Sequence, residues 1–337
     1  MCLVELENVP KLQIGCNTLV AEGMVVSTAS EKAKEAQAAV LEFLLINHPI
    51  DCPICDQAGE CKLQDYYMSY GGYKSKIELE TKVNKGKVVD LGPEVLLDEE
   101  RCILCARCTR FCDEVTKTGE LGIFGRGDHS RISLFPGKRL DNRYSGNVVD
   151  VCPVGALTSK DFRFKSRVWY LEKTPSACTS CATGCNIDIY HRGAEIFRFR
   201  PRHNAEVNDF WMCDEGRLSY KLFKQESRIP SPLLREGTTF SVSSWEGAVS
   251  RVLEIIRTAK EEGGPETVGA IAGAKATNEE AFLLSRLITE QVGSEYVAGV
   301  SWSPPEAFHD DFLIDADKNP NTQGLKSLGL LSGDDRA

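Results

Sequence analysis

The sequence lacks three features that would each assign a protein to a class at once. No stretch approaches the roughly 18 consecutive apolar residues of a membrane-spanning helix, and the start MCLVELENVP has neither a basic leader nor an apolar signal core. No G-x-G-x-x-G turn marks a dinucleotide-binding unit. The net charge of −9 argues against nucleic acid as a partner, because phosphate binding needs a clustered basic surface. We therefore expect a soluble chain that meets a membrane only through a larger complex.

The composition is that of an ordinary globular protein except for its cysteines. With 337 residues, 42% apolar and 26% charged, the chain is long enough for two or more domains. The 14 cysteines fall into tight C-x2-C groups rather than the spread of a disulfide framework. Without a secretion signal, this grouping indicates metal sites in a reducing compartment. A single cysteine is more often a small buried apolar residue, so it is the repeated spacing that favours metal.

The first group of candidate ligands lies in NHPIDCPICDQAGECKLQD, residues 47–65. A histidine precedes three cysteines with the spacing H-x3-C-x2-C-x5-C, so four soft ligands share one loop. A lone histidine in this position is usually solvated, but the neighbouring cysteines favour ligation. The first group is His48, Cys52, Cys55 and Cys61.

The second group begins in RCILCARCTRFC, where four cysteines are spaced C-x2-C-x2-C-x3-C, and continues in VVDVCPVGAL. In the bacterial ferredoxin pattern, three close cysteines and a remote Cys-Pro hold one [4Fe-4S] cluster, and the fourth close cysteine serves a second cluster. The same spacing before Cys152 falls on Asn142, Ser145 and Val148, which cannot ligate iron in this role. We therefore predict one cluster and an unused Cys112. The second group is Cys102, Cys105, Cys108 and Cys152.

The third group combines CTSCATGC with a later cysteine in FWMCDEGR. The intervening NIDIYHRGAEIFRFRP alternates apolar and polar residues around Arg192-Gly193, which predicts a hairpin. The hairpin would return the chain so that the last cysteine meets its partners. The third group is Cys178, Cys181, Cys185 and Cys213.

Zinc is the rival metal for all three groups. Tetrahedral zinc also uses C-x2-C pairs and sets of one histidine with three cysteines. Three close cysteines with a remote Cys-Pro are more typical of a four-iron cluster, so iron–sulfur is the favoured interpretation.

A helix is predicted over residues 28–46, with Thr28-x-x-Glu31 as its capping box. It should end near Asn47, because Pro49 cannot continue it. Its expected apolar face is Ala36, Val40, Phe43 and Leu44.

From about residue 230 the pattern changes to alternating strands and helices. SVSSWEGAVSRVLEIIRTAK predicts a helix with Ser243-x-x-Glu246 as its capping box. ETVGAIAG predicts a buried strand, and ATNEEAFLLSRLITEQVG a helix capped by Thr277-x-x-Glu280 and closed at Gly293. This succession indicates an α/β domain. The expected apolar stripe of the earlier helix is Ala248, Val249, Val252, Ile255 and Ile256.

In order and spacing, the three groups resemble the large iron–sulfur subunit of respiratory NADH:quinone oxidoreductase, complex I. The resemblance covers almost the whole chain, and its most specific part is the loop that begins at His48. In that family an N-terminal plant-type [2Fe-2S] domain has ligands at C-x10-C-x2-C-x13-C, and Cys2 and Cys16 match the last two. The resemblance implies that the chain is truncated at both ends. It also implies three [4Fe-4S] clusters here and a [2Fe-2S] ligand set that is incomplete.

The resemblance implies a multidomain α+β and α/β fold in five parts. They are a partial [2Fe-2S] ferredoxin-like domain (1–29), a [4Fe-4S] domain with one-histidine three-cysteine ligation (30–92), a [4Fe-4S] ferredoxin-like domain (93–165), a [4Fe-4S] domain of molybdopterin-oxidoreductase type (170–225) and the truncated start of an α/β molybdopterin-oxidoreductase-like domain (226–337).

The family implies that the chain carries electrons and is not active alone. Electrons from NADH, released by a flavin-bearing partner subunit, would pass through the clusters toward quinone. The other partners would be peripheral-arm subunits of complex I, at the cytoplasmic face of the inner membrane if the source is bacterial. The cluster of the third group is thought to lie off the main path in this family, so we assign it no transfer role.

Alternative functions stay open. Residues 170–337 also resemble molybdopterin oxidoreductases such as formate dehydrogenase, in which a lysine two positions after the last cluster cysteine links cluster to pterin. Here that position is Glu215, so we expect no molybdenum cofactor. Diaphorase subunits of NAD-linked hydrogenases resemble residues 1–165. A non-redox alternative is a structural scaffold stapled by zinc.

Overall fold

The computed structural model describes residues 2–72 and 74–331, which fall into two compact units. The first unit comprises residues 1–172 and 191–197, and the second comprises residues 173–190 and 198–337. Within the described ranges, no helix is both long enough and apolar enough to cross a membrane. The five predicted domain boundaries are finer than this division and stay predictions.

The first unit combines small antiparallel sheets with short helices. Strands pair in the orders β2-β1-β3, β4-β5-β8 and β6-β7. Its strands are β1 (Leu3–Leu6), β2 (Gln13–Ile14), β3 (Val26–Ser27), β4 (Val89–Asp90), β5 (Val95–Leu97), β6 (Leu121–Phe124), β7 (Arg131–Leu134) and β8 (Leu157–Ser159), and its helices are α1 (Glu31–Leu45), α2 (Lys62–Tyr70), α3 (Arg107–Arg110) and α4 (Asn147–Val151).

Helix α1 ends where predicted but begins later. Its N-cap is Ser30 rather than Thr28, because Ser30 is extended and its hydroxyl accepts a hydrogen bond from the Ala33 amide at 3.2 Å. The predicted apolar face was also wrong in part. Ala33 and Leu41 are the buried residues of the helix, whereas Phe43 is 73% exposed, so the face that packs inward is rotated from the predicted one.

The second unit begins with a three-stranded sheet of order β11-β10-β9 and continues with the hairpin β12-β13 and the parallel pair β14-β15. The predicted hairpin is present, and Gly193 in its turn has a φ of 57°, which favours glycine. The strands are β9 (Glu172–Ala177), β10 (Asn186–Arg192), β11 (Glu195–Pro201), β12 (Leu233–Glu236), β13 (Thr239–Val242), β14 (Ala270–Gly273) and β15 (Val297–Val300), and the helices are α5 (Asp214–Leu218), α6 (Trp245–Gly263), α7 (Asn278–Arg286) and α8 (Thr322–Ser327).

Strands β14 and β15 are parallel and lie on either side of α7 in the chain, as the α/β pattern predicted. The capping box of Thr277 and Glu280 is present, and Gly293 ends the helical segment in the left-handed conformation. Small side chains pack where helix and strand meet. This core consists of Ala272, Ala274, Ala281 and Leu325.

Two predictions for helix α6 were wrong. Its N-cap is Ser244, whose hydroxyl accepts from the Gly247 amide at 3.1 Å, and not Ser243. The apolar stripe is not buried among the described residues: Val249, Val252 and Ile255 are each more than half exposed. A helical period identifies an amphipathic helix, but it does not say what covers the apolar side.

Candidate metal centres

The first group surrounds one small cavity at the end of helix α1. Cys52 opens a single 3₁₀ turn, in which the Cys55 amide donates to the Cys52 carbonyl at 3.2 Å. Cys61 is the N-cap residue of α2. His48 lies just beyond the end of α1, so a helix end, a tight turn and a helix start bring the four side chains to one cavity.

The imidazole of His48 is in the form that binds metal. Burial lowers its pKa to about 4, although the carboxylate of Asp51 opposes the shift. The ring is therefore neutral at pH 7, and its buried Nδ1 makes no hydrogen bond within the described part of the chain. The carbonyl of His48 accepts from Lys82 Nζ at 2.6 Å, which fixes the backbone beside the ring.

The thiols of Cys55 and Cys61 are buried, and burial raises the pKa of each. They are neutral thiols near pH 7 unless a metal replaces the proton. This is the chemistry of a ligand set that is completed by metal, because a buried thiol becomes a thiolate readily only when a cation compensates its charge.

The loop of the first group is held by side chains far away in sequence. The carboxylate of Asp56 accepts from the Phe164 amide at 2.8 Å. Arg167 donates to the carbonyls of Cys55 and Pro53. These contacts fix the turn on which two of the cysteines stand.

The second group surrounds a separate cavity. The loop between its first cysteines has two non-glycine residues with left-handed backbone, Leu104 at a φ of 54° and Ala106 at 60°. Such residues are uncommon and cost energy, and they cluster at binding loops. The Leu104 amide donates to Cys102 Sγ at 3.5 Å, so the strained loop curls around its own ligand.

The remote ligand reaches this cavity from helix α4. Cys152 follows α4 directly and is extended, and Pro153 after it cannot continue the helix. Burial raises the pKa of Cys108 to about 12 and that of Cys152 to about 11, with the charge of the neighbouring cysteines adding to the shift. The structure thus brings together all four residues of the predicted second group.

Cys112 is fully buried and does not line the cavity of the second group. It lies on a π-helical segment, Phe111–Val115, and its carbonyl accepts from the Thr118 and Gly119 amides. Burial and the carboxylate of Glu120 raise the pKa of its thiol. Its position agrees with the prediction that it is not a ligand.

The third group converges in the second unit, and all four of its thiols are buried. The Cys178 amide donates to the Cys185 carbonyl at 2.8 Å. Cys213 is the N-cap of α5, and its sulfur accepts from the Gly216 amide at 3.3 Å. A Cβ at Gly216 would lie 3.0 Å from Cys178 Sγ and 3.4 Å from Cys213 Sγ, so both sulfurs approach this glycine. Burial, reinforced by the other three cysteines, raises the pKa of Cys185 to about 12.

Cys2 and Cys16 lie at the same end of the β1–β2 pair. The register joins Leu3 to Ile14, and the Gly15 amide donates to the Cys2 carbonyl at 2.7 Å. Both cysteines are exposed. The strand pairing therefore brings the two predicted [2Fe-2S] ligands to one edge.

The donors of each group are spread around a cavity rather than gathered at a point. Among the residues with described positions, no three histidine, cysteine or acidic side chains are placed to hold a single metal ion. Zinc needs four donors within about 2.0–2.3 Å of one centre. In a [4Fe-4S] cluster each ligand binds a different iron, so this wider spacing fits a cluster better than an ion.

Three family models match this chain, and each matched range contains one complete group. Residues 37–76 match the NADH-ubiquinone oxidoreductase-G iron-sulfur binding region. Residues 92–158 match the ferredoxin-like domain of NADH-quinone oxidoreductase subunit 3. Residues 171–221 match the NADH-ubiquinone oxidoreductase NDSU1/NuoG-like 4Fe-4S domain. These matches define the class: an iron–sulfur protein of mixed helix and sheet with ferredoxin-like and four-iron four-sulfur domains.

Curated relatives identify the family within that class. The G-type NADH-quinone oxidoreductase subunit of Rickettsia felis is 40% identical over 296 residues, 88% of this chain and 43% of the relative. The mitochondrial NADH-ubiquinone oxidoreductase 78 kDa subunit of Neurospora crassa is 41% identical over 301 residues, 88% of this chain and 40% of the relative. The chain belongs to this family, the large iron–sulfur subunit of NADH-quinone oxidoreductase, which confirms the resemblance seen in the sequence.

The chain spans less than half the length of the curated relatives it matches. Among solved structures, an NAD+-reducing [NiFe]-hydrogenase in the H2-reduced state is similar with a TM-score of 0.44 and 29% identity, over 50% of this chain and 71% of that chain. At that TM-score the likeness decides nothing about fold or function.

Proposed function

We propose that this chain is an electron-transfer subunit of an NADH-quinone oxidoreductase. It would take electrons from a partner subunit that binds NADH and flavin, and pass them toward quinone. The observation that carries the proposal is that each of the three matched domains brings four sulfur or nitrogen donors together. The whole oxidoreductase reaction would belong to the assembled complex.

Three [4Fe-4S] clusters fit the three groups. The first group would hold one through three thiolates and the neutral imidazole of His48, and the second and third through four thiolates each. Bound there, such a cluster supplies reversible one-electron transfer. The chain's own part is to bury the thiols, exclude water and set the charge around each site. Cys2 and Cys16 would contribute two of the four ligands of a [2Fe-2S] cluster.

The third group is proposed as a cluster site without a transfer role. A molybdenum cofactor does not fit beside it, because Glu215 stands where molybdopterin enzymes have a cationic link. Glu215 is exposed on α5, and its charge adds to the rise in the pKa of Cys213. A carboxylate there repels the anionic pterin phosphates. This argues against the formate dehydrogenase alternative.

The partners would be the other peripheral-arm subunits, including the flavin-bearing one. Membrane association would come only through the complex, at the cytoplasmic face of the inner membrane if the source is bacterial. The acidic net charge of −9 supports the absence of a nucleic-acid partner.

A pair of cysteine variants from one ligand run tests the proposal. In Cys105→Ser the second cluster should be lost and electron delivery from NADH through the flavin partner should fall sharply. In Cys112→Ser, a change in the same run but outside the cavity, both should stay. The measurement is NADH-dependent bleaching of the iron–sulfur absorbance in the assembled complex. Equal loss in the two variants, or NADH oxidation by this chain alone, would contradict the proposal.

A further inference from the structure

The first and second groups share a wall. Cys152, Val154 and Ala156 line the cavity of the second group, whereas Gly155, between them in sequence, lines the cavity of the first. Extended backbone turns successive residues to opposite sides, which explains the alternation. The carbonyl of Pro153 also lies 3.7 Å from Cys61 Sγ. The segment that supplies the remote ligand of the second group therefore forms part of the first.

Gly155 is a glycine because of space. Its φ lies outside the left-handed range, so other residues could adopt its backbone conformation. A Cβ at this position would come closer than 3.0 Å to Cys55 Sγ and would lie 3.2 Å from the Cβ of Gln57. Cβ atoms do not approach other atoms so closely, so any side chain here must displace the Cys55 sulfur.

Arg101 makes the same crossing from the other ligand segment. It directly precedes Cys102 of the second group, yet its guanidinium forms a two-pronged ion pair with Asp51, which directly precedes Cys52 of the first. Arg101 Nε donates to Asp51 Oδ1 at 3.0 Å and Nη2 donates to Oδ2 at 2.6 Å. The Arg101 side chain is 5% exposed, and paired guanidinium–carboxylate bonds of this kind fix orientation as well as adding energy.

Other contacts tie this pair to the shared wall. Nη1 of Arg101 lies 3.4 Å from a carboxylate oxygen of Asp98, and the Asp98 amide donates to the Ala156 carbonyl at 2.8 Å. The Cβ position of Gly155 is 3.6 Å from Cδ of Arg101. The guanidinium, the glycine and the carboxylate beside Cys52 therefore form one continuous structure between the two cavities.

We propose that Arg101 and Gly155, which belong by sequence to the second group, are positioning residues for the cluster of the first group. Arg101 orients the turn that carries Cys52, and Gly155 leaves the space that the Cys55 sulfur occupies. The proposal rests on the proposed function, because it assumes that the first group holds a cluster. It implies that the first site is complete only after the ligand segments of the second have folded.

The test uses Gly155→Ala and Arg101→Met in the iron–sulfur-loaded full chain. Electron paramagnetic resonance distinguishes the two clusters, because only the first has a histidine ligand and so a nitrogen hyperfine coupling. We expect both variants to weaken metal retention at the first site about 10- to 100-fold against a chelator, the range for residues that orient metal ligands. The second cluster should be retained as in the unchanged chain, although both substitutions lie in its ligand segments.

Matched controls separate positioning from general damage. Gly72→Ala adds a Cβ where nothing lies within 4 Å, and Arg110→Met removes an arginine whose side chain is 70% exposed in the second ligand run. Both should keep the first cluster. Asp51→Asn should match Arg101→Met, and the double variant should be no worse than either single one.

Two outcomes would overturn the proposal. One is a first cluster that survives chelation as well in Gly155→Ala and Arg101→Met as in the controls. The other is a second cluster that is lost together with the first in both Gly155→Ala and the milder Arg101→Lys. Failure of the proposed function would look different, since the unchanged chain would then lack a nitrogen-coupled cluster altogether.

Discussion

Replacing His48 by cysteine should change how many protons the first group releases when it binds its cluster. The pKa of His48 is lowered to about 4 by burial, so the imidazole is already unprotonated between pH 6 and pH 8. Burial raises the pKa of Cys55 and Cys61, so these thiols are protonated in that range and each must lose a proton to bind iron. A cysteine at position 48, in the same buried surroundings, would release one proton more.

One extra proton has a calculable effect on affinity. Each pH unit removed weakens binding a further tenfold, about 1.4 kcal/mol, for every additional proton that must be released. Between pH 8 and pH 6, the affinity of the unchanged site relative to His48→Cys should therefore rise about 100-fold, or about 2.7 kcal/mol. Both sites weaken as the pH falls, and the variant weakens more steeply. Protonation of His48 itself adds a loss only near its pKa of about 4.

The assay is the chelator concentration that removes half of the first cluster at pH 6, 7 and 8. The titration of the chelator cancels in the ratio of variant to unchanged chain, and the second cluster in the same sample is an internal reference. A ratio that stays constant within roughly twofold across this range would refute the reasoning, because it would mean that His48 and a cysteine bind with the same proton release.

Three further predictions concern potential, stability and cofactor content. His48→Cys should lower the potential of the first cluster, because an added thiolate charge opposes reduction, and His48→Ala should make the cluster labile; a redox titration showing an unchanged or raised potential in His48→Cys would refute the charge account and favour a geometric role for the imidazole. Thr277→Ala should cost about 1 kcal/mol of stability through loss of the helix cap, seen as a lower urea midpoint for the second unit. Metal analysis of the purified complex should find no stoichiometric molybdenum or tungsten beside Glu215, and finding either would overturn the charge argument.

The sequence predicted the candidate ligands because their spacing is local. Three ligands of each group lie within a short stretch, and only Cys152 and Cys213 had to be brought from a distance. A Cys-Pro signature indicated the first of these and a hairpin the second. The structure places both with their partners, as the burial of the third group and the cavity of the second show.

Helix starts were predicted less well, because two neighbouring residues could each serve as the cap. Thr28 and Ser30 at one helix, and Ser243 and Ser244 at another, have similar side chains. The residue that caps is the one whose backbone is extended while its hydroxyl reaches the third amide beyond, and tertiary structure decides this.

The support of the first site could not be predicted. Asp51 and Arg101 are 50 residues apart, and nothing in their spacing indicates that they meet. Their positions directly before Cys52 and Cys102 were the available signal, since opposite charges precede a ligand in each of two groups. The bare approach of Gly155 to Cys55 depends on the folded arrangement alone.

The most direct test of the central claim is the metal content and paramagnetic spectrum of the anaerobically reconstituted chain. The account predicts brown protein with about twelve irons and twelve sulfides, from three [4Fe-4S] clusters of four irons each, one of them coupled to nitrogen. It predicts little or no [2Fe-2S] signal, because Cys2 and Cys16 supply only half of a ligand set. Colourless protein with stoichiometric zinc, or a clear [2Fe-2S] signal, would contradict it.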